Sequence, residues 1–372
     1  MDFSPETHFK PRAWVLGKML LRGKVSMLVA PPGAGKSMLT LSMAVAIVSG
    51  RADILNEPVP HRVPVWMYNN EDDIEELERR LYAIMQHYKV TWDDLSINGK
   101  RALFINSGTS RQFVIASKDQ KQNKVVAKDS VLICSQIMLN DIGVFIADPL
   151  AETHHADENN NSDMAQVGAY YRSIATETGC SVLLVHHSRK SSGKIETGSI
   201  DMARGASSMM GVARVAFTLA TMTPTEAKNY GISEERRTRH IRLDDAKANL
   251  ALVSPVPRWL YKQTVHVPND TGESDAVGVL EPVTLEKQEI EDPLPMDVAN
   301  VIAGPGEYTI NSISEKLRVT NPAYAGKPSN TLKRHIERAF LGGELVKGLL
   351  IKTVPADEAG NKKLSLTVST VQ

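Results

Sequence analysis

The octet Ala30-Pro31-Pro32-Gly33-Ala34-Gly35-Lys36-Ser37 lies between an apolar run, Val25 to Ala30, and a helix-patterned run, Met38 to Val48. It dictates local geometry: a strand ends, the chain turns sharply and a helix opens. Glycines at 33 and 35 let backbone N–H groups converge on phosphate oxygens. Lys36 supplies a mobile cation for the outer phosphates, and the Ser37 hydroxyl is placed to ligate Mg²⁺. A plain glycine turn between a strand and a core helix would require neither Lys36 nor Ser37. The octet predicts an ATP site lined by Pro32, Gly33, Ala34, Gly35, Lys36, Ser37 and Met38, followed by an amphipathic helix. Ala30 replaces the usual first glycine, which is tolerable where that residue keeps a negative φ.

Further apolar runs bounded by turn residues predict buried strands at Val63 to Tyr68, Ala102 to Ile105, Ile142 to Ala147, Ser181 to Val185 and Val215 to Thr221. Helix patterns fall between them at Lys36 to Val48, Asp72 to Tyr88, Ser130 to Asn140 and Asp163 to Thr178. This alternation predicts an α/β fold with a sheet covered on both faces, and Arg239 to Asp244 and Arg258 to Lys262 extend it at an edge. An acidic, proline-bearing stretch at 285–295 reads as a linker, separating an ATPase domain at 1–284 from a small domain at 296–372. In the small domain, helices at Met296 to Ile302, Ile310 to Leu317 and Ser329 to Leu341 precede Leu345 to Thr353, a polar turn at Asp357 to Lys363, and Leu364 to Val368. That order resembles a winged helix. Lys333, Arg334 and Arg338 then face either a phosphate backbone or plain solvent in a protein-interaction module.

The 43 basic and 43 acidic residues cancel, so any nucleic-acid contact must come from local clusters rather than a bulk positive field. Cys134 and Cys180 are too few and too apolar in setting for a disulfide framework, which predicts a reducing compartment and two buried thiols. The amino terminus is polar and no apolar stretch reaches membrane-spanning length, so a cytoplasmic protein without a membrane partner is expected.

Hydrolysis of ATP needs a metal ligand and a group that orients or deprotonates water. Asp148 ends an apolar strand, which sets its carboxylate beside the phosphate loop at the carboxyl edge of the sheet and makes it, with Ser37, the candidate Mg²⁺ ligand. Pro149 comes next, so the base must come from elsewhere. Glu71, after the strand Val63 to Tyr68 and the turn Asn69-Asn70, is the best-placed carboxylate, because that strand can lie near the phosphate-loop strand. The bland alternative is an acid at a helix entry, a role that Asp72 and Asp73 fit better. His186 and His187 follow the strand Ser181 to Val185, where a polar side chain can touch the outer phosphate and pass its presence onward. His187 is favoured and His186 stays open. His154, His155, Asp157 and Glu158 are ligand types in one loop, but without a cysteine framework or regular spacing they do not make a metal site.

These landmarks together resemble a known family, the RepA-like, RecA-fold hexameric ATPases of plasmids and phages, relatives of DnaB-type replicative helicases. The resemblance runs from about Trp14 to Trp259. It rests on Pro32-Gly33-Ala34-Gly35-Lys36-Ser37, Asn70-Glu71-Asp72, Asp148-Pro149-Leu150, the polar stretch His155 to Met164, Val185-His186-His187-Ser188-Arg189-Lys190, and Ala203-Arg204-Gly205-Ala206-Ser207. A glutamate apart from the metal aspartate is the RecA-type arrangement. The resemblance implies a homohexameric ring with ATP between neighbouring subunits. Arg204 is then the arginine finger, with Arg214 as fallback, and Lys247 is a second cation acting across the boundary. It also implies pore-facing loops, in which Arg189, Lys190 and Lys194 contact the backbone of single-stranded DNA.

The function expected is that of an ATP-dependent DNA helicase, with replication proteins as further candidate partners. The runner-up is a DNA-associated ATPase that loads, remodels or organises a complex without unwinding. A small-molecule kinase and a nonenzymatic nucleotide scaffold are weaker alternatives: the first finds no evident acceptor pocket, the second requires Glu71 to be misassigned.

Overall fold

Hydrophobic strands that alternate with helices have one economical solution, a parallel sheet buried on both faces. The computed structural model describes residues 9–119, 124–188, 207–252, 254, 256–288, 293–302, 304–347, 349–354 and 365–370. The chain divides into two units, residues 1–288 and 289–372.

In the first unit the principal elements are β1 (Val25–Ala30), α1 (Lys36–Ser49), β2 (Val65–Asn69), α2 (Ile74–Tyr88), β3 (Leu103–Ser107), α3 (Ser130–Leu139), β4 (Val144–Asp148), α4 (Asn161–Thr178), β5 (Ser181–His187), β6 (Val215–Thr221), β7 (His240–Ala248), β8 (Arg258–Pro268) and β9 (Ser274–Val283). They form one nine-stranded sheet ordered β9-β8-β7-β6-β1-β5-β4-β2-β3. From β6 to β3 all neighbours run parallel, and β7, β8 and β9 are added antiparallel. The class is α/β, a phosphate-loop core with the loop strand at the centre of the sheet. Every residue of β1 and β4 is buried, as expected for strands covered by helices on both faces. Trp66 of β2 stands in register with Phe145 of β4, and the rings are 4.9 Å apart, a contact that helps fix the relative height of the two strand ends.

Several elements depart from the sequence expectation. The helix after the phosphate loop is not amphipathic, because every residue of α1 from Leu39 to Val48 is buried. The cover includes α2, the turn at Ile54 and Leu55, and the β8–β9 hairpin. Strand β7 pairs with β8 only as far as Tyr261, and beyond it the hairpin runs past the sheet so that Val265, Val267, Val277 and Val279 join α1 and α2 in one apolar cluster. Strand β9 is additional to the strands expected, because Gly278, Glu281 and Pro282 interrupt its apolar signal. Strand β2 starts at Val65 rather than Val63, β3 reaches Ser107, and β5 continues through both histidines. Helix α2 starts at Ile74 because Asp73 is its N-cap, its carboxylate accepting from the Glu76 N–H at 2.8 Å.

The second unit comprises α5 (Pro293–Val301), β10 (Gly306–Thr309), α6 (Ile310–Thr320), α7 (Pro322–Ala325), α8 (Ser329–Ala339), β11 (Glu344–Val346), β12 (Leu349–Val354) and β13 (Ser365–Thr370). Its four strands form an antiparallel sheet ordered β10-β13-β12-β11. Leu294, Val298, Ile313, Leu317, Leu332, Ile336, Phe340 and Ile351 fill one core. Helix α5 begins inside the stretch expected as a linker. Proline at a first helical turn lacks only an N–H that would have no helical partner, so Pro293 opens the helix rather than excluding it. The expected turn at Asp357 to Lys363 lies outside the described residues. Among the described residues no helix is long and apolar enough to cross a membrane.

Candidate active site at the phosphate loop

The turn from β1 into α1 depends on two glycines in the left-handed region, Gly33 at φ 73° and Gly35 at φ 97°. Gly35 is also the N-cap of α1, and its carbonyl accepts the first helical bond from the Leu39 N–H at 3.0 Å. No atom lies within 4 Å of where a Cβ on Gly33 would sit, so the loop leaves open space on that side. Lys36 is buried, its Nζ donating to the Pro31 carbonyl at 3.3 Å. Burial lowers its pKa, opposed by the negative charges of Asp148 and Glu71. The loop borders a cavity of about 840 Å³ that is also lined by Met38, Glu71, Arg79, His187, Asp275 and Gly278.

Asp148 is the last residue of β4 and fully buried. Its Oδ2 accepts from the Thr40 hydroxyl at 3.3 Å, and its Oδ1 is buried with no hydrogen-bond partner. Burial pushes its pKa up to about 6. Hydrogen bonding from Ser37 and the charge of Lys36 pull the other way, while the charge of Glu71 adds to the rise. A buried carboxylate with an orphaned oxygen, beside a serine hydroxyl and an open glycine turn, fits a magnesium-bound triphosphate held by Ser37, Asp148 and the loop N–H groups.

Glu71 reaches the cavity from a strand in the same sheet as the loop strand but not adjacent to it. Strand β2 is not next to β1; β5 and β4 stand between them. Asn69, at the end of β2 and level with Asp148, accepts from the N–H groups of Glu71 (3.0 Å) and Asp72 (2.8 Å), an Asx turn that bends the chain out of the sheet. Glu71 is thereby presented to the cavity, where Oε1 lies 3.0 Å from Nε2 of His187. His187 is level with Ala30, the last residue of β1. His186 points to the opposite face of β5 and is buried, as strand alternation requires.

The other cations of the cavity are engaged. Arg80 pairs with Asp72 at 2.7 Å and Glu76 at 2.8 Å, and Arg79 with Glu75 at 2.7 Å, Glu76 at 2.9 Å and Asp275 at 3.3 Å. Lys247 donates from Nζ to the Met210 carbonyl of its own chain, and Arg214 is exposed close enough for its charge to add to burial in lowering the Lys247 pKa. Arg189, Lys190, Lys194 and Arg204 lie outside the described residues. His154 is buried and its pKa is lowered to about 4 by burial, whereas His155 is exposed.

Residues 2–193, over half of the chain, match the family model described as AAA domain. The chain belongs to the AAA domain family. The matched span of this AAA domain protein carries β1 to β5 and hence every cavity residue named above except those of the β8–β9 hairpin. Among solved structures it is similar to one described as an ATPase domain, with 13% identity over 69% of this chain and 86% of that one and a TM-score of 0.44. Another, titled "The Structure Of A DnaB-Like Replicative Helicase And Its Interactions With Primase", aligns at 16% identity over 64% of this chain and 56% of that one, with a TM-score of 0.43. As an AAA domain protein with an intact phosphate loop, the chain is a nucleotide-binding ATPase.

Two features of the AAA domain site lie beyond the sequence expectation. Asn69 reads there as a turn residue only, although an Asn two before a carboxylate is the signal for an Asx turn. Lys262 of β8 carries no local signal, since it arrives from the far hairpin. Its Nζ donates to the Gly33 carbonyl at 3.2 Å, and burial lowers its pKa. Among the described residues it has no carboxylate partner, so its charge bears on the phosphate loop itself. A hydrogen bond from a charged group contributes about 1.5–3 kcal/mol. Lys262→Met is therefore expected to raise the KM for ATP about tenfold with a smaller change in kcat, and Lys262→Arg to restore most of it, as read from steady-state phosphate release.

Proposed function

We propose that this ATPase is a DNA helicase of the replicative RepA/DnaB-like type, coupling Mg-ATP hydrolysis between identical subunits to movement along single-stranded DNA. The observation that carries the reading is the Glu71–His187 contact over the phosphate-loop cavity. It joins a carboxylate able to take a proton from water to a side chain from which the chain continues, two residues later, into the basic stretch that contains Arg189, Lys190 and Lys194.

In this reading Pro32 to Met38 cradle the phosphates, and Lys36 neutralises the outer ones. Ser37 and Asp148 hold Mg²⁺, which when bound withdraws charge from the β- and γ-phosphates. Glu71 orients the attacking water and accepts its proton. His187, released from Glu71 when a γ-phosphate is present, changes the set of β5 and of the chain beyond it. The carboxylate pairing of Arg79 and Arg80 leaves the site short of a mobile guanidinium, which supports a finger supplied by a neighbouring copy. Arg204 is assigned that role, with Lys247 as second cation once freed from Met210. The ring is a homohexamer, and replication proteins are proposed partners. The second unit is assigned a winged-helix-like fold on its order of helices and antiparallel strands.

Strand displacement on a forked DNA with ATP and Mg²⁺ is expected, with turnover stimulated by single-stranded DNA. DNA-stimulated turnover without displacement would instead select a motor that loads or remodels complexes.

A further inference from the structure

Helix α8 of the second unit is buried along one side only. Leu332 and Ile336 pack into the core, while Asn330, Thr331, Arg334, His335 and Arg338 are all exposed. At 3.6 residues per turn these five side chains form one continuous face. That face carries two guanidinium groups, an imidazole, an amide and a hydroxyl, and no carboxylate. The only acid of the helix, Glu337, is half-buried at its border. Among the described residues neither Arg334 nor Arg338 forms an ion pair. This corrects the sequence expectation in one respect: Lys333 is half-buried and lies off the exposed face.

The helix is presented in a defined frame. Helix α6 precedes it across the short α7, and Ile313 and Leu317 of α6 share a core with Leu332 and Ile336 of α8. The unit as a whole is close to balanced in charge, so the patch comes from placement rather than composition. An exposed helix of this width, second in a helix-turn-helix pair and rich in forked donors, matches the dimensions and the acceptor pattern of a DNA major groove. Arginine fits guanine N7 and O6, asparagine fits adenine N7 and N6, and the remaining donors suit phosphate.

We infer that α8 is a duplex-DNA reading helix, so that the chain has a double-strand binding surface separate from its ATPase site. This role does not depend on the helicase reading, since it uses no residue of the first unit. It gives the chain a means of concentrating itself at a duplex sequence before any single strand is available.

The test uses the full chain. A randomised duplex pool is selected for binding, and the recovered duplex is then titrated by fluorescence anisotropy against wild type and Arg334→Glu/Arg338→Glu. The double variant, altered only at exposed positions, is expected to bind the duplex at least about 100-fold more weakly. Milder Arg334→Gln and Arg338→Gln variants should each lose about tenfold and lower the salt dependence by about one counterion. ATP turnover without DNA is expected to be unchanged in all of them. A chain that enriches no duplex, or double and single variants that bind as wild type does, would overturn the assignment. So would a double variant whose sole defect is a changed oligomeric state, which would make the face a protein contact.

Discussion

Glu71→Gln is expected to lower ATP turnover by about 10² to 10⁴, the range for loss of a positioned general base. ATP affinity should hold or tighten. Glu71 is a carboxylate facing a site built for phosphate anions, and its charge already acts on Lys36 and Asp148. The amide keeps the shape of the side chain and a partner for His187 Nε2, and the Asx turn is made by the backbone N–H of residue 71, so local structure is preserved. Phosphate release measured beside binding of a fluorescent ATP analogue separates the two effects. Turnover within a factor of a few of wild type would remove Glu71 from the base role and leave a nucleotide holder.

Asp148→Asn is expected to act in opposite directions on stability and on activity. The folded carboxyl has its pKa raised from 3.8 to about 6, chiefly by burial. A raised carboxyl pKa means that the folded state holds its proton where the unfolded state has released it. From this group, stability is therefore unaffected below about pH 4, falls as pH rises from about 4 to 6, and stays lowered above that. At about 1.36 kcal/mol per pH unit the neutral-pH penalty is about 3 kcal/mol. The ligand-free asparagine variant should thus unfold at higher denaturant at about pH 7.5 than wild type, and the gap should close toward about pH 4. Mg²⁺ should stabilise wild type and not the variant. In the proposed role of Asp148 as a Mg²⁺ ligand, the same substitution removes the charge that would draw Mg²⁺ to the site, and Mg-dependent turnover should fall by several orders of magnitude. Equal stability of the two proteins at neutral pH would show that the aspartate carries no buried charge. For wild type, Mg-nucleotide affinity should likewise weaken as pH drops through about 6, where Asp148 takes up its proton.

The parts of the site legible in the sequence are those set by local chemistry. A glycine-bearing octet that ends in Lys36-Ser37 between a strand and a helix points to a phosphate loop by local chemistry alone, and an aspartate ending an apolar run is placed at a strand end, where β4 has it. The parts not legible are set by distance along the chain. Glu71 lines the cavity, and the sequence puts its strand near the loop strand without giving the order, because parallel strands have many possible orders and β2 lies three places from β1. Sequence alone does not separate His187 from His186. Once β5 is seen to run through both, strand alternation puts His187 on the cavity side and His186 on the other face.

The sequence by itself determined the α/β class, the phosphate loop and the strand-end carboxylate, because each follows from backbone geometry over fewer than about ten residues. Tertiary structure alone decided that the β8–β9 hairpin folds over α1, bringing Lys262 to the carbonyl of Gly33 and Asp275 to Arg79. Those contacts join residues about two hundred positions apart. They depend on how a whole hairpin buries its valines, a collective hydrophobic choice that no short stretch of the chain encodes.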